Sequence, residues 1–289
     1  MFSKAYQITR NFTRPVAASC RTADGRTRCG LATFIVVNKE GWIVTAAHVL
    51  NDMIACQQHT KELKDYEDQR AAIASDSSLS SSQRKKMNSK LIFNKDWITT
   101  QSLWWCQDGV IAEAIHADPV SDVAVIKLAN FNTASIPVFP KFNPPELDPP
   151  PAGSLCRLGF PFTEVTAAFD ETTKSFTLVN FTLPPMFPND GIHTRIQLIA
   201  DPANNRTVKF IETSTPGLRG QSGGPLFDVS GNIWGVQSRT GFLELGFSPK
   251  KKDGNKEIVE HQFLNVGLAS HVQHVVALFK THGVPYESA

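Results

Sequence analysis

The sequence predicts an all-β fold interrupted by one polar insertion, and three observations support this prediction. Short runs rich in β-branched residues recur along the chain, with turn signals between them. These runs do not alternate with helical segments, which favours a barrel over βα units. A segment at 137–151 carries seven prolines, so it is stiff and extended and is unsuited to a central strand.

The first half of the chain begins with an arm, predicted over residues 1–14, and then contains five strands. The predicted strands lie at 16–20, 32–38, 43–45, 109–115 and 123–128. From about 51 to 90 the chain is polar and charged, with serines clustered at 75–82. We interpret this stretch as a helical insertion with a flexible tip. The simpler interpretation is that this insertion is only a solvated surface hairpin. The functional interpretation is that it is a docking or regulatory element beside a functional site.

The second half follows a proline-rich linker at 141–153 and ends in a helix. Its predicted strands lie at 155–158, 175–183, 194–200, 208–212, 225–228, 233–238 and 261–266. The final helix is predicted from an N-cap at Ser270, a C-terminal stop at Gly283 and an apolar stripe between them. The stripe consists of Val272, Val275, Val276 and Phe279. The predicted organisation is therefore an N-terminal lobe over 1–140, the linker, and a C-terminal lobe over 154–289.

Composition limits the classes of partner. The formal charge of +2 gives no reason to expect nucleic acid or a membrane surface. No apolar run approaches the roughly 20 residues needed to cross a bilayer, and no secretory signal is evident. The N-terminus carries Lys4, Arg10 and Arg14 without an acid before Asp24, as in a mitochondrial transit peptide. Cleavage there would remove the first strand, so we expect a cytoplasmic protein.

The cysteines and histidines indicate neither a disulfide framework nor a metal site. The five cysteines are odd in number and have no C-x-x-C spacing, which favours free thiols. Pairing of Cys20 with Cys29 across a hairpin is the alternative. His271 and His274 have the spacing of one helix face but lack a third ligand. We predict no cofactor and no metal.

Three short segments together predict nucleophilic catalysis. They are TAAH at 45–48, DVAV at 122–125 and GQSGGP at 220–225. Their order gives His48, Asp122 and Ser222, which is the order of one known type of catalytic triad. In such a triad Ser222 attacks, His48 accepts its proton and returns it to the leaving amine, and Asp122 orients the imidazole.

The glycines around Ser222 predict an oxyanion hole. Gly220 lets the backbone turn, so that its N–H and that of Ser222 point to one place. Gly223 and Gly224 permit close approach of the backbone and a substrate. Pro225 then leads the chain into a strand rather than a helix.

Several segments resemble the trypsin-like peptidase superfamily and, within it, the HtrA branch. They are GLATFIV at 30–36, EGWIVTAAHV at 40–49 and NVGLA at 265–269. The resemblance implies a chymotrypsin-like double six-stranded β-barrel with the active site in the cleft between the barrels. It also implies the triad roles given above, with Gly220 and Ser222 as oxyanion donors.

The chain departs from this family in three respects. Too few residues follow 283 to form a PDZ domain, and no zymogen cleavage site is evident. We therefore expect a protease that needs no N-terminal cleavage. The separation of His48 from Asp122 is larger than usual, and the insertion accounts for it.

The resemblance also implies two walls for the pocket that binds the substrate side chain before the scissile bond. One wall is predicted from Thr215, Pro216, Gly217, Leu218 and Arg219, and the other from Gln237, Ser238, Arg239 and Thr240. The first wall has no aspartate, so a preference for basic residues has no evident basis. Arg219 could face acidic side chains, although a solvated arginine at the rim is the simpler interpretation.

Other interpretations remain open at this stage. Asp118, which precedes Pro119, is the rival of Asp122 for the third triad position. An inactive relative that only binds protein would keep the same fold. An α/β-hydrolase esterase would use Ser222 in G-x-S-x-G, but Gly224 and Pro225 block the helix it requires. As an active enzyme, the protein is expected to cleave protein or peptide substrates, with a specific partner docking on the insertion.

Overall fold

Two sheets form the body of the protein, and their strands pair antiparallel except at two short strands of the second sheet. The computed structural model describes residues 1–253, 256–259 and 262–289, and side chains outside 250–261. The first sheet has six strands in the order β4-β1-β2-β3-β6-β5. Their bounds are Thr13–Thr22 (β1), Thr27–Val36 (β2), Trp42–Thr45 (β3), Ile98–Trp104 (β4), Ile111–Asp118 (β5) and Val123–Ala129 (β6).

The second sheet has eight strands in the order β13-β8-β11-β12-β17-β14-β7-β18. Their bounds are Lys141–Phe142 (β7), Ser154–Gly159 (β8), Phe187–Asp201 (β11), Arg206–Thr213 (β12), Pro225–Phe227 (β13), Ile233–Glu244 (β14), Phe263–His271 (β17) and Glu287–Ser288 (β18). Strands β7 and β18 are only two residues long, so six longer strands make up most of this sheet. The prediction of a chymotrypsin-like double-barrel fold is confirmed, with two short strands added to the second sheet.

Two separate hairpins complete the strands. They pair Thr166–Asp170 (β9) with Ser175–Val179 (β10), and Lys250–Asp253 (β15) with Lys256–Val259 (β16). The hydrophobic core is continuous between the two main sheets. Phe34 on β2 and Phe227 on β13, for example, are both fully buried within it.

The N-terminal residues form part of the body instead of an arm. Ser3–Thr9 is a helix (α1), with Ala5 fully buried. Phe12, which follows the helix, is also fully buried. Burial of these apolar side chains stabilises the start of the chain against the core.

The insertion is helical, as predicted. It consists of Asn51–Ser75 (α2) and Ser81–Asn88 (α3), and Ser80 begins α3 with a capping box to Gln83. Helix α2 packs against β4. His59 on α2 accepts a hydrogen bond from the backbone N–H of Ile98 at 2.9 Å.

The C-terminal helix spans Val272–His282 (α4), and its predicted N-cap is wrong. His271 is the N-cap, because its Nδ1 accepts a hydrogen bond from the backbone N–H of Gln273 at 3.1 Å. Ser270 still belongs to β17 and donates its hydroxyl to the carbonyl of Ser121. Gly283 ends the helix with φ +66°, as predicted.

Strand boundaries differ from the prediction in several places. Strand β4 was not predicted. Strand β17 continues to His271, whereas its prediction ended at residue 266. His261, where that prediction began, lies outside the described residues. All five cysteines are free, so Cys20 and Cys29 are not paired.

Candidate active site

His48 and Asp122 meet at one edge of the first sheet. Strands β3 and β6 pair antiparallel, with Thr45 opposite Ala124. His48 follows the end of β3 and Asp122 directly precedes β6, so the pairing brings both to the same edge. The ring Nδ1 of His48 lies 2.9 Å from Oδ2 of Asp122. The backbone N–H of His48 also donates to Oδ1 of Asp122 at 2.9 Å.

Asp122 is largely but not fully buried, and it receives several hydrogen bonds. Its side chain is 13% exposed, and the hydroxyl of Ser238 donates to Oδ2. Burial raises the pKa of Asp122, but the hydrogen bonds from His48 and Ser238 outweigh it, so the pKa lies below its ordinary value. The carboxylate is therefore charged at neutral pH.

Asp118, the rival for this position, has other partners. Its carboxylate pairs with Arg206 at 2.7 Å and accepts a hydrogen bond from the hydroxyl of Ser121 at 2.6 Å. Asp122, by contrast, contacts His48 directly.

Ser222 lies in the loop between β12 and β13, and the first sheet holds this loop in place. The carbonyl of Ser222 accepts a hydrogen bond from the backbone N–H of Thr33 on β2 at 2.8 Å. Gly223 has φ +84°, and a Cβ there would overlap the carbonyl of Thr33 and the hydroxyl of Thr45. Only glycine fits this position without displacement of the backbone.

His48 and Ser222 line the same cleft, whose volume is about 320 Å³. The hydroxyl of Ser222 lies 3.5 Å from the carbonyl of Ser238. Within the described part of the chain, it makes no hydrogen bond to His48. Catalytic hydrogen bonds are often long or misaligned before a substrate binds, and rotation about the Cα–Cβ bond of Ser222 redirects its hydroxyl.

The two predicted oxyanion donors, Gly220 and Ser222, line this cleft. Gly220 has φ +97°, and its carbonyl accepts hydrogen bonds from the hydroxyl of Thr33 at 2.7 Å and the N–H of Phe160 at 3.2 Å. These bonds turn the peptide carbonyl into the protein. Among the residues that the structure describes, the N–H groups of Gly220 and Ser222 have no acceptor.

The two predicted pocket walls are in contact. The hydroxyl of Thr240 donates to the carbonyl of Gly217 at 2.6 Å. Ser238 is buried and donates its hydroxyl to Asp122, so its side chain supports Asp122 instead of forming a face of the predicted wall. Arg239 packs on the ring of Phe210.

Sequence reasoning missed three contributions to the site. Thr33 fixes the loop of Ser222 through its N–H and hydroxyl, Ser238 supports Asp122, and Arg157 lies buried under the first pocket wall. These contacts join residues far apart in the chain, and no local pattern signals them. Only the unusual arginine in an otherwise apolar strand at 155–158 could have been noticed.

Within the described residues, no helix is long and apolar enough to cross a membrane. No group of three or more His, Cys, Asp or Glu residues there is placed to hold a metal ion.

The family model of the trypsin-like peptidase domain matches residues 32–236. The match covers more than half of the chain and includes His48, Asp122 and Ser222. The chain belongs to the trypsin-like peptidase family. No curated protein matches it in sequence.

Solved structures that are similar to the chain include two proteases. The serine endoprotease from Yersinia pestis is 16% identical with a TM-score of 0.45, and the alignment covers 97% of this chain and 66% of that one. The HtrA-type protease AlgW, solved with a tripeptide, is 16% identical with a TM-score of 0.49, and the alignment covers 98% and 64%. The chain therefore spans just under two thirds of the length of these proteins.

Proposed function

We propose that the protein is a serine endopeptidase that hydrolyses peptide bonds through an acyl-enzyme. The contact of 2.9 Å between His48 and Asp122, at the edge of the cleft that contains Ser222, is the observation that carries the proposal. An imidazole held by a buried carboxylate is what a serine hydroxyl needs to become a nucleophile.

The catalytic cycle follows from this arrangement. Asp122 accepts a hydrogen bond from the N–H at Nδ1 of His48, which leaves Nε2 free to accept the proton of Ser222 as its oxygen attacks the peptide carbonyl. The oxygen of the tetrahedral intermediate binds the N–H groups of Gly220 and Ser222, each worth roughly 10²–10³ in rate. His48 then protonates the leaving amine. Water, activated by His48, hydrolyses the ester on Ser222.

A fluorophosphonate probe tests the proposal, because it reacts covalently only with an activated serine. The wild-type protein should be labelled at Ser222, and Ser222→Ala and His48→Ala should not. Labelling that survives His48→Ala would favour the esterase alternative. A folded wild-type protein that is not labelled and cleaves no protein would favour the inactive, binding-only alternative.

We further propose that the insertion controls access of protein substrates, and that a specific protein partner docks there. Asn51 and Asp52, the first residues of α2, line the cleft with His48. A ligand on α2 would therefore lie beside the scissile bond. A cytoplasmic location stays a prediction from the sequence.

Deletion of the outer part of the insertion tests this role. A variant with residues 64–90 replaced by a short glycine-serine linker keeps Asn51 and Asp52. It should cleave short peptides as the wild type does, but its pattern of cleaved proteins should change. Unchanged cleavage of every protein substrate would contradict the proposed role.

A further inference from the structure

A second cavity opens beside the cleft of His48 and Ser222. Its volume is about 680 Å³, which is enough for a large side chain. Its apolar lining consists of Leu31, Phe160, Phe162, Val165 and Leu218. Phe160 is buried, whereas the other four side chains are partly or largely exposed. We call this space the apolar cavity.

The apolar cavity is continuous with the cleft. Cys29, Gly30, Leu31, Arg219 and Gly220 line both. A Cβ at Gly30 would meet no atom of the described residues within 4 Å, so a ligand has room to pass over this position. Gly220 is also a proposed oxyanion donor. The apolar cavity therefore begins next to the place of the scissile carbonyl.

Strand β2 leaves one edge free on the same side. Residues 27–35 pair with β1, whereas β3 pairs only with the last two residues of β2. No described strand pairs with the other edge of residues 27–32. The N–H of Thr33 on that edge donates to the carbonyl of Ser222, which places the edge beside the nucleophile. An extended peptide can pair with a strand edge of this kind.

The part of a substrate that follows the scissile bond leaves the site in this direction. In the proposed cycle His48 protonates the leaving amine, so the amine and the residues after it lie on the side of His48. That side is the cleft that opens into the apolar cavity. Three residues of extended chain span about 10 Å, so one of the first three side chains can enter the apolar cavity.

Phe162 is held in a strained conformation beside the apolar cavity. Its φ is +59°, which is uncommon for a bulky residue, and the residue is 78% exposed. Its ring meets that of Phe187 edge to face, with the centroids 5.4 Å apart. An exposed ring adds little to the core, and strained residues are concentrated at functional sites. The position of this ring therefore points to a ligand.

We infer that the apolar cavity is the subsite for a large apolar side chain, such as phenylalanine or leucine, within the first three residues after the scissile bond. Phe162 is its specificity-determining residue. This inference rests on the proposed endopeptidase function, whose chemistry it leaves unchanged.

The lining selects by size and polarity. A phenylalanine or leucine side chain loses apolar surface to the cavity, whereas alanine is too small to gain much. Lysine or aspartate would lose hydration against apolar groups. The exposed lining residues Glu164 and Arg219 carry opposite charges, so their charges together favour neither sign.

Peptides test the preference through the substrate alone. The strongest cleavage site in denatured casein, located by mass spectrometry, supplies a parent peptide. Each of the three residues after the bond is then replaced by phenylalanine, leucine, alanine, lysine or aspartate. At one position we expect kcat/KM to be about tenfold higher for phenylalanine and leucine than for alanine, lysine or aspartate. Equal cleavage of all peptides, or a preference for a charged residue, would overturn the inference.

A variant assigns the effect to Phe162. In Phe162→Ala the positive φ and its cost remain, so the variant removes the ring alone. The ratio of phenylalanine to alanine peptides should fall from about tenfold to about threefold or less. Phe247→Ala is the matched control, because Phe247 is also exposed but lines a separate cavity, and it should keep the wild-type ratio. A wild-type ratio in Phe162→Ala would show that Phe162 does not determine the preference.

Binding separates this inference from the proposed function. Alanine tetrapeptides with a fluorophore at the carboxyl end, and with phenylalanine at the first, second or third position or at none, are titrated against Ser222→Ala. About tenfold tighter binding of one phenylalanine peptide, lost in Ser222→Ala with Phe162→Ala, would support the subsite even for a protein that the fluorophosphonate does not label. Equal binding of all four peptides would contradict it, even where the wild type is labelled.

Sedimentation tests the other possible occupant, a second copy of this chain. Self-association of the wild type that Phe162→Ala abolishes would show that a second copy covers the apolar cavity, and would overturn the inference. Sedimentation that is the same for the wild type and Phe162→Ala would leave the cavity open to substrate, as inferred.

Discussion

At the scale of single residues, Asp122 is the group on which the proposed triad depends most. It accepts hydrogen bonds from the backbone and the ring of His48 and from the hydroxyl of Ser238. It also has φ +55°, an uncommon conformation for a residue with a side chain. The carboxylate therefore fixes both the position of His48 and the tautomer of its ring.

Asp122→Asn should abolish most of the activity without unfolding the protein. An amide at this position cannot accept from all three donors, and it favours the wrong tautomer of His48. We expect kcat to fall by roughly 10³-fold or more, measured with a peptide substrate. Asp118→Asn is the control, since it breaks the ion pair with Arg206 but not the triad, and its kcat should stay near that of the wild type. A similar loss in both variants would contradict the assignment of Asp122.

Gly223 is the residue whose replacement should be least tolerated. In Gly223→Ala a methyl group would overlap the carbonyl of Thr33 and the hydroxyl of Thr45, and the residue would also keep φ +84°. We expect a loss of about 3 kcal/mol or more in the free energy of unfolding. Gly109→Ala separates the two causes, because Gly109 has φ +72° with open space around the added methyl group. Gly109→Ala should lower the free energy of unfolding by about 1–2 kcal/mol. An equal loss in Gly223→Ala and Gly109→Ala would show that steric overlap of the methyl group contributes nothing.

At the scale of elements, helix α4 begins with two buried histidines that share a charged environment. His271 is fully buried and His274 is 7% exposed. Asp148 and Lys209 face His271, and Asp118, Arg206 and Lys209 face His274. Burial dominates and lowers the pKa of both rings to about 4. Both are neutral at pH 7.

These histidines should make the protein sensitive to acid. In the unfolded chain a histidine binds a proton near its ordinary pKa of about 6.5, whereas in the folded protein it does so only near 4. The unfolded state therefore binds more protons between these values, and stability falls as the pH decreases from 6.5 to about 4. The loss is up to about 3 kcal/mol for each histidine.

Urea unfolding at pH 7, 5.5 and 4.5 measures this loss. His271→Asn should flatten the dependence, because asparagine remains a good N-cap but does not titrate. If the variant and the wild type lose stability in parallel across this range, His271 is not a source of the acid sensitivity.

Elements also show how far the sequence alone could predict the structure. Local sequence patterns located the helical insertion and most strands. This succeeded because the periodicity of apolar residues within a short window indicates whether a segment is a helix or a strand. Local patterns failed where distant contacts decide the outcome. Ser270 has the chemistry of an N-cap, but pairing of β17 with β12 and β14 extends the strand through it and moves the cap to His271. Helix α1 was missed because its burial depends on the rest of the core.

The site shows the same division. Local motifs singled out His48, Asp122 and Ser222, and in the structure His48 and Ser222 line one cleft while Asp122 contacts His48; their catalytic roles stay a prediction. The roles of Ser238 and Arg157 could not be predicted, because each contacts a residue more than 50 positions away. These contacts are thus products of the fold and not of any motif.

At the scale of the whole molecule, the two main sheets each supply part of the proposed active site. The first sheet positions His48 and Asp122, and the second positions Ser222. Hydrogen bonds cross between them at the site itself. Thr33 on the first sheet bonds the carbonyls of Gly220 and Ser222, and Ser238 on the second sheet bonds Asp122. Docking of the two sheets therefore also brings together the groups of the proposed active site.

Thr33→Val tests this coupling, because it keeps the shape of a fully buried side chain and removes one bond between the sheets. The carbonyl of Gly220 would then depend on the N–H of Phe160 alone, and the turn that joins the two proposed oxyanion donors, Gly220 and Ser222, would be less firmly held. We expect kcat/KM to fall about tenfold, mostly in kcat, and the free energy of unfolding to fall by about 1–2 kcal/mol.

Thr13→Val is the matched control for this experiment. Thr13 is also fully buried and donates its hydroxyl to a backbone carbonyl, that of Thr9, at 2.8 Å, but it lies outside the cleft. Thr13→Val should lose a similar amount of stability, about 1–2 kcal/mol, and keep the kcat of the wild type. Only loss of a hydrogen bond that joins the sheets at the site should lower both kcat and the free energy of unfolding. Equal kcat values in Thr33→Val and Thr13→Val would show that the sheets position the oxyanion donors without the hydroxyl of Thr33.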